Sequence, residues 1–233
     1  MTGRIVWNSD GPAAVGGAPQ PGPSAAIAHG VASVFQDPET QMVMPRVAEE
    51  VAFGLENLGV PASEMPARID AALRAVGLET EARTWVDDLS GGQKQRLALA
   101  ATLALEPNVL VLDEPTANLD PQATAAFFDL LRRVKAERRL SIVLIEHRLD
   151  AVLPLVDTIV AMNRSGGVLA SGATRDVLRQ HSAALQAEGV WLPVACTLMQ
   201  ALRQQDAPTG ECPVTLDEAE AVLPAMIRAP SDL

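Results

Sequence analysis

The chain has 233 residues, 48% of them hydrophobic and 20% charged, and a formal net charge of −11. This composition predicts a globular protein with a hydrophobic core and argues against a disordered chain. The acidic balance argues against a nucleic-acid partner, which usually binds a basic face, and no apolar run predicts a membrane-spanning helix. Cys196 and Cys212 form no spaced cluster and no secretory signal opens the chain, so we expect a reduced, cytosolic protein.

Residues 1–30 contain six glycines, four prolines and six alanines and show no helical or strand periodicity. This composition predicts a linker or disordered arm. The pattern changes near Val31, where a short buried strand that ends at Gln36 is predicted. Two amphipathic helices follow Pro45, so we expect a helical layer over residues 37–89. Their apolar positions are Val47, Val51, Leu55 and Leu58 in the first helix, and Ile69, Leu73 and Val76 in the second, which Gly77 stops.

Strands and helices alternate over the next part of the chain, which predicts an α/β fold with a parallel sheet. The apolar run Val109–Leu112 is continuous rather than alternating, as expected for a strand buried on both faces. Asp120 and Pro121 fit the N-cap and first residue of a helix. The inner face of that helix is formed by Phe127, Leu130, Leu131 and Val134. Further strands are predicted at Ile142–Ile145, Thr158–Met162 and Val168–Ala170, with helical segments at Leu149–Leu155 and from Thr174 to about Glu188.

The segment Leu89–Gln93 reads Leu-Ser-Gly-Gly-Gln and precedes a predicted helix. Ser90 and Gln93 have the spacing of a capping box, in which each side chain bonds the backbone of the other residue. Gly91 and Gly92 lack the Cβ atoms that would keep a ligand away from backbone N–H groups, so this helix N-terminus is a candidate anion site. Taken alone, such a turn is more often a simple helix cap.

Polar side chains follow three of the predicted strands. Gln36 ends the first strand, Asp113 and Glu114 end the second, and His147 comes shortly after the third. Ligands of open α/β sheets gather at this carboxyl edge, so we expect the four side chains to converge there. Asp113 is suited to hold Mg²⁺ through water, Glu114 to activate a water as general base, and His147 to contact a terminal phosphate or position that water. A solvated turn and a structural histidine are the simpler alternatives.

Together these residues resemble the ATP-binding subunits of ABC transporters, over roughly Val31–Val177. Leu89–Gln93 is similar to the family signature and Val109–Glu114 to its Walker B strand. Gln36 matches the Q-loop glutamine, Ala117–Asp120 the D-loop and His147 the switch histidine. The resemblance implies ATP as ligand, Mg²⁺ as cofactor, and an α/β P-loop NTPase core with a helical subdomain at 37–89. It assigns Glu114 and His147 to catalysis, Asp113 and Gln36 to the metal, and Gln36, Ser90, Gly91, Gly92, Gln93 and Asp120 to the nucleotide.

Within the family, segments 34–41, 51–59 and 145–150 resemble the energy-coupling-factor branch, which imports vitamins or cobalt and nickel ions. This resemblance implies a cytoplasmic subunit on the inner face of the cell membrane, paired with a second ABC ATPase subunit or domain and with an integral membrane transport subunit. Residues 37–89 would contact the membrane subunit. The candidate contacts are Met42, Val43 and Met44, for which ordinary core or loop packing is an equal alternative.

The sequence departs from the family in its phosphate-binding loop. The pattern Gly-x4-Gly-Lys-Ser/Thr does not occur in it, and both lysines, Lys94 and Lys135, follow Gln36. We therefore expect an N-terminally truncated core, with a partial ABC ATPase domain over residues 31–175 and a C-terminal extension over residues 176–233.

This departure has two expected consequences. Strands Val109–Leu112 and Ile142–Ile145 lose a neighbour and expose their edges. The chain also binds nucleotide weakly by itself and supports at most one working site beside an intact partner. Two functions follow: an ATP-hydrolysing subunit, or a non-catalytic partner or gene remnant that lends only its signature helix. A DNA-maintenance ATPase is disfavoured, because the sequence has no heptad run and is acidic.

Overall fold

The structure is a computed structural model that describes residues 30–138, 140–147, 149–197, 218 and 220–221. The predicted arm, apart from Gly30, and most of the predicted C-terminal extension lie outside the described residues. The chain divides into two compact units. The first falls within Met1–Leu119 and Arg133–Ile145, and the second within Asp120–Arg132 and Glu146–Leu233.

The first unit contains a three-stranded parallel sheet in the order β1, β2, β3. Its strands are β1 (Val31–Val34), β2 (Val109–Asp113) and β3 (Ser141–Ile145). In the central strand β2, Leu112 pairs with Val34 on one side and Leu144 on the other. Leu110 and Leu112 are fully buried, as the continuous apolar run predicts. The expectation that Val109–Leu112 lacks a neighbour is therefore wrong, because β1 and β3 cover both of its edges.

Strand β3 pairs with β2 on one side, and within the described part of the chain no strand pairs with its other side. Its side chains Val143 and Ile145 are 50% and 49% exposed. An open strand edge beside apolar side chains is a surface on which other strands can pair.

Three helices form the helical layer of the first unit. They are α1 (Val47–Asn57), α2 (Met65–Val76) and α3 (Gly91–Ala104). The apolar positions Val47, Val51 and Leu55 of α1 are fully buried, as their spacing predicts. Helix α2 ends at Gly77, whose φ of 68° is a left-handed conformation that glycine adopts without a Cβ clash. Helix α3 packs against α1, α2 and β1, so this layer is joined directly to the sheet.

The second unit is built around an antiparallel pair, β4 (Thr158–Met162) and β5 (Val168–Ala173), and helix α5 (Thr174–Ala187). Helix α4 (Pro121–Glu137) begins in this unit and ends within the residues of the first. Its predicted inner face is buried. The core of the second unit is formed by Leu153, Ala161, Ala170, Val177, Leu178, Leu185, Leu192 and Cys196.

Two predicted elements of the second unit differ from the structure. Only a single 3-10 turn, Leu153–Leu155, forms in the predicted helical segment Leu149–Leu155, because Pro154 lacks the N–H that a continued helix needs. Strand β5 runs three residues beyond its predicted end, to Ala173. No helix in the described ranges is both long enough and apolar enough to cross a bilayer.

Candidate functional site

The carboxyl ends of β1 and β2 bring Gln36 and Glu114 together. The two residues are 78 positions apart in sequence, and Gln36 Nε2 donates a hydrogen bond to Glu114 Oε2 at 3.2 Å. Parallel strands place their carboxyl ends at one edge of the sheet, which explains why the two meet. Both lie together as the sequence predicts, and we call this pair the hydrolytic edge. Their roles in nucleotide chemistry remain predictions.

The backbone at Glu114 is strained. Its φ of 43° lies in the left-handed region, which a side chain with a Cβ adopts at a cost of about 1–3 kcal/mol. Two hydrogen bonds hold it there: Glu114 N–H donates to Ile145 C=O at 3.0 Å, and Glu114 C=O accepts from Ala117 N–H at 3.1 Å. Such strain is typical of positions whose side chain must point in one direction, as a general base must.

The donor set at this edge fits a hydrated Mg²⁺ ion. Asp113 closes β2 beside Ile145 of β3, and the amide of Gln36 lies at the next strand end. The described residues contain no group of three or more histidine, cysteine or acidic side chains that holds a metal by itself. Mg²⁺ does not need one, since it keeps several waters and is bound through one or two carboxylates together with substrate phosphates.

A complete capping box opens helix α3. Gln93 N–H donates to Ser90 Oγ at 3.3 Å, and Ser90 N–H donates to Gln93 Oε1 at 2.9 Å, so the predicted pairing is confirmed. Ser90 and Gly91 are exposed, and a Cβ added at Gly91 meets no atom within 4 Å. We call residues 90–93 the signature cap. The capping box uses the N–H groups of Ser90 and Gln93, and the helix start at Gly91 borders open space that an outside anion could enter.

Two further predicted site residues, Asp120 and His147, belong to the second unit. Each makes a hydrogen bond within that unit. Asp120 Oδ1 accepts a hydrogen bond from Ala123 N–H at 2.8 Å, so Asp120 is the N-cap of α4, as predicted. The C=O of His147 accepts from Trp191 N–H at 3.3 Å, which ties the histidine to the segment after α5.

The first unit also contains a cavity of about 370 Å³. We call it the docking groove. It is lined by Glu39, Met42, Val43, Met44, Pro45, Val86, Asp87 and Lys94. Val43 is 62% exposed, so an apolar side chain borders the opening. The predicted contacts at positions 42–44 therefore line a concave surface and do not fill the core.

Glu50 holds the backbone of two groove-lining residues, and the sequence did not predict this role. This carboxylate is buried, and its Oε2 accepts from Val43 N–H at 2.8 Å and Met44 N–H at 2.7 Å. Burying a carboxylate is costly unless such bonds satisfy it. The signal was present: Glu50 lies three residues after Val47 and one before Val51, on the apolar face of a helix.

Two of the groove-lining residues, Glu39 and Lys94, form an ion pair, with Glu39 Oε1 and Lys94 Nζ 2.5 Å apart. The hydrogen bond to Glu39 raises the pKa of Lys94 above its usual value of 10.5; burial opposes this, and the charges of Glu39, Asp87 and Asp37 add to it. Lys94 is therefore fully charged near neutral pH. Sequence spacing gave no sign of this pair, whose members are 55 residues apart.

Comparison with known proteins identifies the family. The family model described as ABC transporter matches residues 2–117. The energy-coupling factor transporter ATP-binding protein EcfA1 of Symbiobacterium thermophilum is 40% identical over 200 residues, which cover 86% of this chain and 69% of that protein. The chain belongs to the ABC transporter ATP-binding family. The match begins 29 residues before Val31, so the family similarity extends beyond its predicted start.

Two further relatives agree with this family. CbiO1 of Clostridium perfringens, part of the ABC transporter complex CbiONQ, has a similar fold with a TM-score of 0.63, 33% identity, and coverage of 75% of this chain and 69% of that one. A putative ABC transporter ATP-binding protein of Methanosarcina mazei is 44% identical over 163 residues, 70% of this chain. The chain spans only 28% of that longer relative. The ABC ATPase fold, an α/β P-loop NTPase fold, is thus the fold of this chain.

Proposed function

We propose that this chain is an ATP-binding and ATP-hydrolysing subunit of an energy-coupling-factor type importer and forms one half of an ATPase dimer. The observation that supports it most is the hydrogen bond between Gln36 and Glu114 at the carboxyl ends of two parallel strands. It aligns a general base with an amide that can hold a metal or a water. Similarity to EcfA1 and CbiO1, both parts of transporters by name, supports the transport role.

Each side chain of the hydrolytic edge has a task in this proposal. Glu114 accepts a proton from the attacking water, and the strained backbone fixes the direction of its carboxylate. Asp113 and the amide oxygen of Gln36 hold Mg²⁺, which neutralises charge on the phosphates when bound. His147 contacts the terminal phosphate or the water, and Asp120 lies at the nucleotide site between subunits. In this proposal hydrolysis depends on positioning of the attacking water and on neutralising the charge of the phosphates.

The signature cap is proposed to complete the nucleotide site of a second ATPase subunit. It is exposed and presents the start of a 14-residue helix. Ser90, Gly91, Gly92 and Gln93 would bind the phosphates of ATP held by that partner, where the helix dipole favours negative charge. In this proposal the cap of this chain and the nucleotide-holding residues of the partner form one composite site.

The docking groove is proposed to receive an integral membrane subunit. Its apolar members, Met42, Val43 and Met44, suit a short apolar segment of a partner, and a concave surface holds such a segment more firmly than a flat one. With this contact, the chain would be a peripheral subunit on the inner face of the cell membrane.

A second candidate function is favoured by the signature cap. The capping box forms from residues 90–93 alone and needs no nucleotide site on its own subunit. A chain that lends only this cap would support hydrolysis on its partner without hydrolysing ATP itself.

Steady-state ATP hydrolysis by the tagged full-length chain, purified with its assembly from membranes of its source organism, tests the proposal. Glu114→Gln removes the base, which contributes about 10²–10⁴-fold at one site, so turnover by the assembly falls by about half or more. Ser90→Asp keeps the helix cap but places a negative charge against the phosphates, so it lowers turnover at the other site.

The two variants separate the candidates. Loss in both supports a hydrolysing subunit. Loss with Ser90→Asp alone supports the signature-lending partner. Wild-type turnover in both variants refutes a role of this chain in ATP hydrolysis.

A further inference from the structure

His147 lies in a loop between the end of β3 at Ile145 and the 3-10 turn Leu153–Leu155. Because the histidine belongs to neither element, its position depends on contacts with other segments of the chain. One such contact is the hydrogen bond that Trp191 N–H donates to His147 C=O at 3.3 Å. Trp191 follows helix α5, and we call residues 190–197 the supporting segment. The supporting segment thus takes part in fixing the backbone of the histidine.

Asp150 attaches the same loop to the supporting segment through its side chain. Its Oδ1 accepts a hydrogen bond from Val194 N–H at 3.1 Å, across 44 positions of sequence. Val194 begins a helical turn, in which Thr197 N–H donates to Pro193 C=O at 3.0 Å. The first N–H groups of a helix have no partner within it, and an aspartate oxygen is a good acceptor for them. Asp150 therefore caps this turn from a distant part of the chain.

Apolar side chains of the histidine loop and the supporting segment pack in the core of the second unit. Leu153 follows the loop and Leu192 belongs to the supporting segment, and both are buried in this core. Leu149 and Val190 are partly buried against it. Close packing of these side chains holds the two segments together, and the hydrogen bonds select how they align.

We propose, on the basis of the function proposed above, that Asp150 is a positioning residue for His147. By capping the supporting segment at Val194, it holds the loop in which His147 reaches the terminal phosphate or the attacking water. Asp150 is exposed, so its hydrogen bond contributes little to the stability of the whole fold and acts on the local alignment. The supporting segment lies within residues 176–233, so the predicted C-terminal extension contributes to the position of a catalytic side chain.

NMR of the histidine rings in the full-length chain, labelled with isotope-enriched histidine, tests the positioning role. The chain has three histidines, and His147→Gln assigns the His147 signal. Asp150→Ala removes the acceptor and should shift or broaden this signal. Asp150→Asn keeps an oxygen that caps helices about as well, so it should leave the signal in place. His181, in helix α5 of the same unit, should keep its signal in every variant.

A second variant breaks the same hydrogen bond from the other side. Val194→Pro removes the N–H donor, and proline suits the first residue of a helical turn, so the turn itself should persist. It should change the His147 signal as Asp150→Ala does. The double variant should add nothing further, since both substitutions break one interaction.

Amide hydrogen exchange measures the cap directly. The Val194 N–H should exchange about fivefold faster in Asp150→Ala than in wild type, because the turn opens locally when its cap is lost. Asp176→Ala is the matched control, since Asp176 is an exposed acid of the same unit that pairs with Arg179 of its own helix. It should change neither the exchange at Val194 nor the His147 signal.

ATP turnover of the assembly tests the link to hydrolysis. Asp150→Ala should lower kcat by about half with KM for ATP unchanged, because the site of this chain loses alignment for the chemical step while the other site continues. In a His147→Gln background, Asp150→Ala should cause no further loss, since it acts through that histidine. Asp150→Asn and Asp176→Ala should hydrolyse ATP like wild type.

The outcomes separate the role of Asp150 from the proposed function. A wild-type His147 signal in both Asp150→Ala and Val194→Pro, or equal changes at His147 and His181, overturns the positioning role. A changed His147 signal with unchanged kcat overturns the link to hydrolysis. If the wild-type assembly hydrolyses no ATP, the proposed function fails, and the NMR spectra still decide whether Asp150 holds the histidine loop.

Discussion

The hydrolytic edge and the signature cap lie in the same unit but are built in opposite ways. The edge joins Gln36 and Glu114 across 78 positions of sequence and depends on the register of the parallel sheet. The cap joins Ser90 and Gln93 across three positions and depends on one helix end. The edge holds a strained residue, Glu114, whereas Ser90 has ordinary extended dihedrals.

This difference separates the demands of catalysis from those of binding. A general base must be fixed in one direction, and tertiary structure bears the cost of the strained backbone that fixes it. An anion-binding cap needs only aligned N–H groups facing open space, which local hydrogen bonds provide. We therefore expect the edge to be sensitive to distant packing and the cap to be insensitive to it.

The largest expected effect comes from the packing beneath the edge. Leu112→Ala creates a cavity in the central strand, immediately before Asp113, and should lower the free energy of unfolding by about 2–5 kcal/mol. Val143→Ala, on the exposed face of β3, should change it by less than about 0.5 kcal/mol. Urea denaturation followed by circular dichroism measures both. Equal losses would show that β2 is not the centre of the sheet.

A smaller effect is expected at the cap. Ser90→Ala removes the acceptor of the Gln93 N–H and should cost about 1 kcal/mol of unfolding free energy. Ser90→Asp should keep that energy, since aspartate caps helices as well as serine does. The same denaturation experiment checks both, and a loss in Ser90→Asp as large as in Ser90→Ala would contradict a purely local cap.

Releasing the backbone strain at Glu114 should change the free energy of unfolding by no more than the loss of the Ser90 cap does, and in the opposite direction. Glu114→Gly places a residue without Cβ at a φ of 43° and should raise the free energy of unfolding by about 1 kcal/mol. Glu106→Gly is the control, because Glu106 has a φ of 53° and lies away from the hydrolytic edge. Only Glu114→Gly should also lower ATP turnover of the assembly, by about half or more. Destabilisation by both glycines would show that neither position is strained.

The smallest expected effect concerns pH and Lys94. Since the pKa of Lys94 is raised in the folded chain, its pairing stabilises the fold fully below the unfolded value of 10.5 and loses this contribution as pH rises through the folded value. The stability difference between wild type and Lys94→Met should thus shrink above pH 10.5. Lys94→Arg, whose charge persists, should keep its stability in that range. Stability curves between pH 8 and 12 measure the difference.

Much of this site could be predicted because its signals are local or topological. The capping box at Ser90 and Gln93 follows from spacing alone. Contact between Gln36 and Glu114 follows from recognising two buried strands as parallel neighbours, since their ends then share an edge.

The remaining features depend on how side chains from distant segments meet in space. The pairing of Glu39 with Lys94 requires knowledge of how the turn after β1 approaches α3, which periodicity does not contain. Likewise, β2 has two neighbours because β1 pairs with one of its edges and β3 with the other. The number of predicted strands does not show in which order they pair. The left-handed backbone of Glu114 has no composition signal, because glutamate is not a residue that favours it.

Within the part of the chain that the structure describes, β3 is paired on one side only, and this has a practical consequence for handling the protein. Its outer backbone groups, beside half-exposed Val143 and Ile145, can accept a strand from a second molecule. Because such association grows with concentration, the amount of monomer in a sample depends on how far it has been concentrated. Biophysical work on the purified chain is therefore best done in dilute solution.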